Sequence, residues 1–201
     1  MTSIAGGGVN ADSPRLYFRK HLEQTTARAE DLVWFLDQSV PKFGGSAEVR
    51  LAVEELIDRL GFFLGLAPTR DDDSEYGVWS SPDGAYLVVM AVDAARAVPS
   101  VSAGLHVRDR LLTSIAVASE EQVTCLNVVC GTANERLLNE AVHLRRASRH
   151  VRFITVDALM RLAGLVEMGK VSTDQAVAAV LRPPGALADQ VIAMLSPPLW
   201  R

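Results

Sequence analysis

Apolar residues recur at helical spacing near the start of the chain, with Arg, Lys, Glu and Asp between them. Ser13-Pro14 supplies a helix start, because serine caps a helix and proline fits its first position. Pro41 and the Gly44-Gly45 pair supply the stop. The pattern predicts one amphipathic helix of about 25 residues between residues 13 and 43. Its apolar stripe is Phe18, Leu22, Ala29, Leu32, Val33, Leu36 and Val40.

A second helix is predicted to begin after Ser46, with Glu48 near its N-terminus and Gly61 at its end. Its apolar stripe is Val49, Val53, Leu56, Ile57 and Leu60. A short strand is expected directly after it, over residues 62–66. Beyond a polar loop, residues 76–79 predict another strand.

Ser81-Pro82-Asp83-Gly84 has the composition of a tight turn and predicts a hairpin. Residues 86–92 and 124–130 are apolar without alternation, which is typical of strands buried on both faces. A further strand is predicted over residues 151–156. Helices are predicted over residues 104–114, 134–148, from a cap at Asp157, and over about 172–181 and 186–195.

This order of elements predicts an α/β fold, a mixed central sheet flanked by helices. The expected organisation is a flexible N-terminus over residues 1–12, an N-terminal helix over 13–43 and the α/β domain over 44–201. The predicted N-terminal helix allows two arrangements. Either it folds against the domain, or it is an arm that buries Trp34 and Phe35 against a second copy or another protein.

The composition is that of a chain with a real core. Of its 201 residues, 49% are hydrophobic and 22% charged, and mean hydropathy is +0.16, which excludes a disordered or collagen-like chain. The longest apolar runs are strand-length, shorter than a membrane span, and the first ten residues lack a signal-peptide layout. Cys125 and Cys130 are expected as buried thiols on opposite sides of one strand. A cytoplasmic, soluble protein is expected.

The segment from Glu75 to Val92, together with the order of elements, resembles the restriction-endonuclease-like or PD-(D/E)XK superfamily. Its sequence is EYGVWSSPDGAYLVVMAV. The resemblance runs from about residue 46 to 155 and implies a helix followed by a hairpin. In these nucleases the second hairpin strand ends with an acidic residue, one spacer and a lysine.

The chain departs from that pattern at the two chemical positions. Met90 stands where the resemblance places the acid, and Val92 where it places the lysine. Hydrolysis in this superfamily needs oxygen ligands for Mg²⁺ and a cation beside the attacking water. A thioether and an isopropyl group supply neither. The resemblance therefore implies a degenerate nuclease with no catalytic residues, no metal and no cofactor.

Relocated carboxylates remain an alternative, with Mg²⁺ as the implied cofactor. The candidates are Glu54 and Glu55 on the second helix, Asp73 in the loop of Asp71 to Asp73, and Asp93 after the central strand. Each also has an ordinary interpretation, which for both glutamates is a solvated helix face. Asp83 is interpreted as part of the tight turn. The four histidines have no metal-ligand spacing, and no phosphate-binding glycine loop is present.

The densest group of basic residues surrounds the end of the helix predicted over 134–148. Arg145, Arg146, Arg149 and Arg152 are candidates for contacting nucleic-acid phosphates. Cations at a helix C-terminus also suit the helix dipole, so capping and solubility explain them as well. Because the chain has a net charge of −4, such binding would depend on this local patch.

Three functions follow from these observations. The first is a non-catalytic nuclease-fold protein that binds nucleic acid or serves as an accessory subunit; the resemblance places it in a DNA-processing or defence assembly. The second is an active magnesium-dependent nuclease with relocated carboxylates. The third is a structural homodimer joined through the N-terminal helix. No membrane association is expected.

Overall fold

The computed structural model describes residues 13–93, 97–114, 122–130, 150–181 and 188–195. The helices of this part are α1 (Pro14–Thr25), α2 (Val33–Ser39), α3 (Ala47–Phe63), α4 (Ala97–Ser114), α5 (Val156–Glu167) and α6 (Ala188–Leu195). Short 3₁₀ turns at Ala29–Leu32 and Val40–Lys42 flank α2. A helical turn at Thr173–Gln175 continues into a π-helical segment at Ala176–Leu181.

The strands form one five-stranded mixed sheet in the order β1-β2-β3-β4-β5. They are β1 (Ala67–Thr69), β2 (Tyr76–Ser80), β3 (Tyr86–Asp93), β4 (Val123–Cys130) and β5 (Val151–Thr155). The first three pair antiparallel and the last three parallel. The turn between β2 and β3 is held by the N–H of Gly84, which donates to the carbonyl of Ser81 at 3.0 Å. The mixed α/β fold predicted from the pattern is confirmed.

Each face of the sheet carries its own apolar core. One face packs against α3, α5 and α6 through Leu87, Val89, Leu126, Val128 and Ile154. The other packs against α4 and is built from Val88, Met90, Val92, Val123, Cys125, Val129, Val151 and Phe153. Burial on both faces explains why β3 and β4 show no alternation of apolar and polar residues.

The two cysteines lie on opposite faces of β4, as predicted. Cys125 belongs to the core beneath α4 and Cys130 to the core beneath α3. Both are buried free thiols. Burial in apolar surroundings raises the pKa of each thiol to about 12.

The single N-terminal helix predicted over residues 13–43 is wrong. Helix α1 ends at Thr25 because the backbone is extended at Thr26 and Arg28. Oδ2 of Asp31 accepts the backbone N–H groups of Ala27 and Arg28, both at 2.8 Å, and so starts the following 3₁₀ turn. A polar side chain that satisfies these two donors outside a helix competes with continuing it.

The apolar stripe of this region faces the chain's own domain. Leu22, Ala29, Leu32 and Leu36 are buried in the core beneath α3 and α5. Phe35 packs against that core from its edge, whereas the side chain of Trp34 is 66% exposed. The segment therefore folds against the domain, the first of the two predicted arrangements.

Other element boundaries also differ from the sequence prediction, and α4 begins at Ala97 rather than near residue 104. No strand forms over residues 62–66, because α3 continues to Phe63 and the chain then turns at Gly65 with a φ of +77°. Helix α5 is capped by Thr155, whose side chain accepts from the N–H of Ala158, so Asp157 lies within the first turn. The helix predicted over 134–148 and the flexible segment 1–12 lie outside the described residues.

Candidate functional site

A cavity of about 500 Å³ opens where the start of α3 meets the loop between β1 and β2. Because α3 begins at this point, the N-terminus of the helix and the charged side chains around it border the cavity. Its charged lining residues are Arg15, Arg50, Glu54, Asp72, Asp73 and Glu75. Gly44, Gly45 and Ser46 complete the side that precedes the helix. The cavity therefore combines four acidic residues with two arginines.

Glu54 and Glu55 project from the buried side of α3, and each is 2% exposed. The guanidinium of Arg15 lies between them, with Nη2 donating to Oε2 of Glu54 at 2.8 Å and Nη1 donating to Oε1 of Glu55 at 2.9 Å. Nε of Arg19 donates to the other oxygen of Glu55 at 2.8 Å. The expectation of a solvated helix face at these two glutamates is wrong, since arginines from α1 cover them.

A second part of the network lies one turn further along α3. Nε of Arg70 donates to Oδ2 of Asp58 at 2.6 Å, and Nε1 of Trp79 donates to Oδ1 at 2.8 Å. Nη1 of Arg70 also lies 3.7 Å from Oε2 of Glu54. Nε of Arg50, one helical turn before Glu54, donates to Oε1 of that glutamate at 3.1 Å. The two parts form one continuous ion-pair network along α3.

The pKa values of two arginines reflect this arrangement. The hydrogen bond to Glu55 raises the pKa of Arg19 above its ordinary value. Burial works to lower the pKa of Arg70, but the charge and hydrogen bond of Asp58, together with the charges of Glu54 and Glu55, outweigh burial and raise it. Both guanidiniums therefore stay charged.

The charges of the ion-pair network balance. Glu54, Glu55, Asp58 and Glu75 supply four carboxylates, and Arg15, Arg19, Arg50 and Arg70 each bind at least one of them. A divalent cation needs carboxylate oxygens that are not already held by guanidiniums. Across the described ranges, no group of three or more His, Cys, Asp or Glu side chains is arranged to hold a metal ion.

The other acidic residues of this region line the cavity or lie near it. Oδ1 of Asp72 accepts a hydrogen bond from the hydroxyl of Ser13 at 3.1 Å. Asp73 lines the cavity from the same loop, and Glu75 accepts from Nη2 of Arg50 at 2.8 Å. Asp93 ends β3 close to the loop before α3, since a Cβ placed on Gly44 would lie 3.3 Å from its Oδ2. The fold thus brings Glu54, Asp73 and Asp93 to one region of the molecule.

Met90 and Val92 lie on the opposite face of the sheet. Both belong to the apolar core beneath α4 and are 7% and 4% exposed. Residues alternate between the faces of a strand, and Ala91 packs against the core beneath α3. In the last three residues of β3, those that face α3 are therefore Ala91 and Asp93. The resemblance assigned the acid and lysine positions to Met90 and Val92. In the structure these two residues lie on the face of the sheet away from Glu54 and Glu55.

The predicted basic patch falls largely outside the described residues, which do not include Arg145, Arg146 or Arg149. Arg152 is described and does not belong to a surface patch. It is 2% exposed, and its Nε donates to the carbonyl of Val180 at 2.9 Å. Burial lowers the pKa of its guanidinium. The prediction that Arg152 contacts phosphates is therefore corrected, because this residue lies in the core.

Sequence reasoning missed the arginines of the network. Arg50 and Glu54 are four residues apart on a predicted helix, a spacing that indicates an ion pair. Arg15 and Arg19 pair with residues 36 to 40 positions away, and Arg70 pairs with Asp58 across 12 positions. Pattern alone gives no signal for these contacts, because they depend on how α1 and β1 pack against α3.

The architecture places a helix before a three-stranded antiparallel unit, followed by parallel strands with a helical crossover between β3 and β4. The structure is similar to that of the restriction endonuclease FokI, with a TM-score of 0.50 and 10% sequence identity. The fold is restriction-endonuclease-like. The match covers 84% of this chain and 33% of the FokI chain, so the protein spans about a third of the enzyme's length.

Comparison of sequences gives no corresponding result. No protein-family model and no curated protein sequence matches the chain. The described helices include none long and apolar enough to cross a membrane.

Proposed function

We propose that this protein is a nuclease-fold protein without a hydrolytic centre, and that it acts by binding nucleic acid or as an accessory subunit beside an active partner. A DNA-processing or defence assembly is the context that the fold suggests. The proposal rests on one observation. The carboxylates of Glu54, which lines the cavity, and of its neighbour Glu55 are bound by the arginines of α1.

These arginines oppose catalysis because they occupy the negative charges that a metal ion would need. Mg²⁺ binds carboxylate and water oxygens at near-octahedral geometry. Arg15 binds an oxygen of each glutamate, so a metal would have to displace a buried guanidinium whose charge they already balance. Met90 and Val92 lie in the apolar core on the other face of the sheet, and neither side chain supplies an oxygen ligand.

The binding part of the proposal rests on Arg145, Arg146 and Arg149. Each phosphate contact releases counterions, so the affinity of a basic patch falls steeply as salt is raised. The net charge of −4 opposes non-specific attraction to a polyanion. Binding through this patch should therefore be abolished when its three arginines are neutralised.

Cleavage assays test the catalytic part. Purified protein is incubated with plasmid DNA, single-stranded DNA and RNA in the presence of Mg²⁺ or Mn²⁺. The proposal expects no cleavage of any substrate. Cleavage that disappears in an Asp73→Asn or Asp93→Asn variant would contradict it.

A salt titration of binding to labelled DNA and RNA tests the second part. The variant Arg145→Ala/Arg146→Ala/Arg149→Ala is compared with Arg28→Ala/Arg110→Ala/Arg161→Ala, which changes net charge equally at exposed positions elsewhere. The proposal expects the first variant to lose binding at low salt and the second to retain it. Equal losses would indicate a general charge effect, and no binding by the unmodified protein would leave only the accessory role.

An active nuclease with relocated carboxylates is the second candidate. It is favoured by the cavity itself, where Glu54, Asp72, Asp73 and Glu75 face a common space and Asp93 approaches the same loop. It requires Arg15 to leave the two glutamates. The cleavage assay above separates this candidate from the first.

A homodimer is the third candidate, favoured by exposed aromatic side chains on the N-terminal segment. Tyr17 is 80% exposed and Trp34 is 66% exposed. Light scattering of the full chain and of a Tyr17→Ser/Trp34→Ser variant tests it. A dimer mass that falls to the monomer mass in the variant supports this candidate, and a monomer mass for both eliminates it.

A further inference from the structure

The N-terminal half of α1 is attached mainly by polar contacts. Within α1, the buried residues are Arg15 and Leu22. The hydroxyl of Ser13 donates to Asp72, and Arg15 and Arg19 bind Glu54 and Glu55. Phe18 is only partly buried against the core, and Tyr17 is largely exposed. Charged groups thus carry most of the attachment over residues 13–21.

The C-terminal end of α1 is attached differently. Leu22 is 1% exposed in the core. Nη2 of Arg59 on α3 donates to the carbonyl of Thr26 at 2.7 Å, and its Nε donates to the hydroxyl of the same residue at 3.1 Å. Thr26 is itself buried. This end is therefore anchored by apolar packing and by contacts that do not involve Glu54 or Glu55.

The polar half of α1 also forms a wall of the cavity. Arg15 lines it opposite the loop that carries Asp72, and Ser13 bridges to that loop. While Arg15 is in place, the charges of Glu54 and Glu55 are matched by guanidiniums. If residues 13–21 moved away, Glu55 would lose its guanidinium partners Arg15 and Arg19. Glu54 would lose Arg15 but keep Arg50 and Arg70.

We propose that residues 13–21 form an ionic strap, which closes the cavity at the start of α3 and opens about the anchor at Leu22 and Thr26. Opening makes the lining of the cavity more acidic, because it removes one of its two arginines. The strap goes beyond the proposed function, because it concerns access to the cavity whether or not the protein binds nucleic acid.

Ionic attachment suits a segment that opens. The attraction within a buried ion pair is largely offset by the lost hydration of its two charges, whereas packed apolar groups have no comparable hydration to regain. Separating the guanidiniums from the glutamates restores hydration to both. Local opening of this kind draws on the least stable parts of a fold.

Hydrogen–deuterium exchange of the full chain, read by mass spectrometry, tests the strap. In the Arg15→Gln/Arg19→Gln variant, we expect exchange of residues 17–21 to accelerate about a hundredfold or more, the lower end of what losing a buried ion-pair partner produces. Exchange in β3 and β4 should stay unchanged. The control is Arg28→Gln, which removes an arginine whose pair with Glu30 is exposed.

Two outcomes would overturn the strap. One is unchanged exchange of residues 17–21 in the double variant. The other is equal acceleration in β3 and β4, which would show that the arginines hold the entire fold.

The unmodified protein provides a second measurement, which holds even if the variant fails to fold. Residues 17–21 should exchange through a smaller opening than residues 53–60 of α3, as judged by the dependence of their exchange on low concentrations of urea. If both segments exchange only by global unfolding, the strap does not exist. None of these readouts depends on nucleic acid, so the strap and the proposed function can fail independently.

Discussion

Nε1 of Trp79 donates to Oδ1 of Asp58 at 2.8 Å and so joins the centre of β2 to the centre of α3. The indole ring lies directly against Gly61, one turn further along the helix, and a Cβ placed there would approach the ring within 2.8 Å. Trp79 is fully buried. The hydrogen bond and the close approach together fix how far α3 stands from the sheet.

Gly61→Ala should therefore lower the free energy of unfolding by about 1–3 kcal/mol, the usual range for overpacking a core. The matched control is Gly164→Ala in α5, where an added Cβ meets nothing within 4 Å. That substitution should raise stability by about 0.5–1 kcal/mol, because glycine is a poor helix former. Urea unfolding of both variants checks the pair, and equal effects at the two positions would contradict the close contact.

Asn127 is a polar side chain within the apolar core beneath α4. It is 1% exposed, and in the described structure neither its side-chain nitrogen nor its oxygen has a hydrogen-bond partner. Asn127→Leu should raise the free energy of unfolding by about 1–3 kcal/mol, because the desolvation penalty of the unpaired amide is removed.

Asn127→Asp serves as the opposite change, since a charge at this position should destabilise strongly. Thermal and urea unfolding measure both variants. A loss of stability in Asn127→Leu would mean that the amide has a partner after all.

Substitutions at Met90 test whether the core beneath α4 could take part in cation binding. Met90→Glu should lower the free energy of unfolding by more than about 3 kcal/mol, because it leaves a charge without a partner in that core. Met90→Leu should cost less than about 1.5 kcal/mol, since the two side chains have similar volumes.

Calorimetry in the presence and absence of Mn²⁺ completes this experiment. The glutamate variant should gain no stability from the metal, because residue 90 faces away from Glu54. A metal-dependent gain in the glutamate variant, absent from the leucine variant, would place residue 90 beside other carboxylates and contradict the assignment of faces.

The buried thiols predict a pH dependence. Burial raises the pKa of Cys125 and Cys130 from the ordinary value of 9.0 to about 12. A raised pKa contributes stability that is fully present below pH 9 and is lost as pH rises through the folded-state value. Between these limits each thiol should lower the free energy of unfolding by up to about 1.4 kcal/mol per pH unit.

Comparison with Cys125→Ala/Cys130→Ala isolates the thiols from tyrosines and lysines that titrate in the same range. The difference in stability between the two proteins should be constant below about pH 8, where an ordinary thiol is protonated, and should shrink above pH 9. The native thiols should also resist a water-soluble disulfide reagent until the protein unfolds. Parallel stability curves across the whole range would show that burial does not perturb the thiols.

The sequence was most informative where local chemistry decides the structure. Pro82 and Gly84 indicated the turn between β2 and β3, and uninterrupted apolar runs indicated the buried strands. It failed at Thr26, because the pattern on both sides of that residue is helical. The helix is ended by Asp31, whose side chain satisfies backbone donors that helical propensity does not report.

The site was less accessible to prediction than the fold. Glu54 and Glu55 were identified as candidates, but their burial and their partners depend on Arg15 and Arg19, far away in sequence. The sequence also could not predict which face of the sheet Met90 lies on. A strand buried on both sides gives no alternation from which to tell one face from the other.

The two outer strands of the sheet limit how another molecule can join it. β1 has three residues, and its central Pro68 has no backbone N–H to offer. At the other border, the N–H of Thr155 in β5 donates to Asp189 and the side chain of Arg152 engages Val180. Short or occupied borders resist strand addition. These two edges therefore disfavour the addition of a strand from another chain, and with it the edge-to-edge growth that leads to fibres.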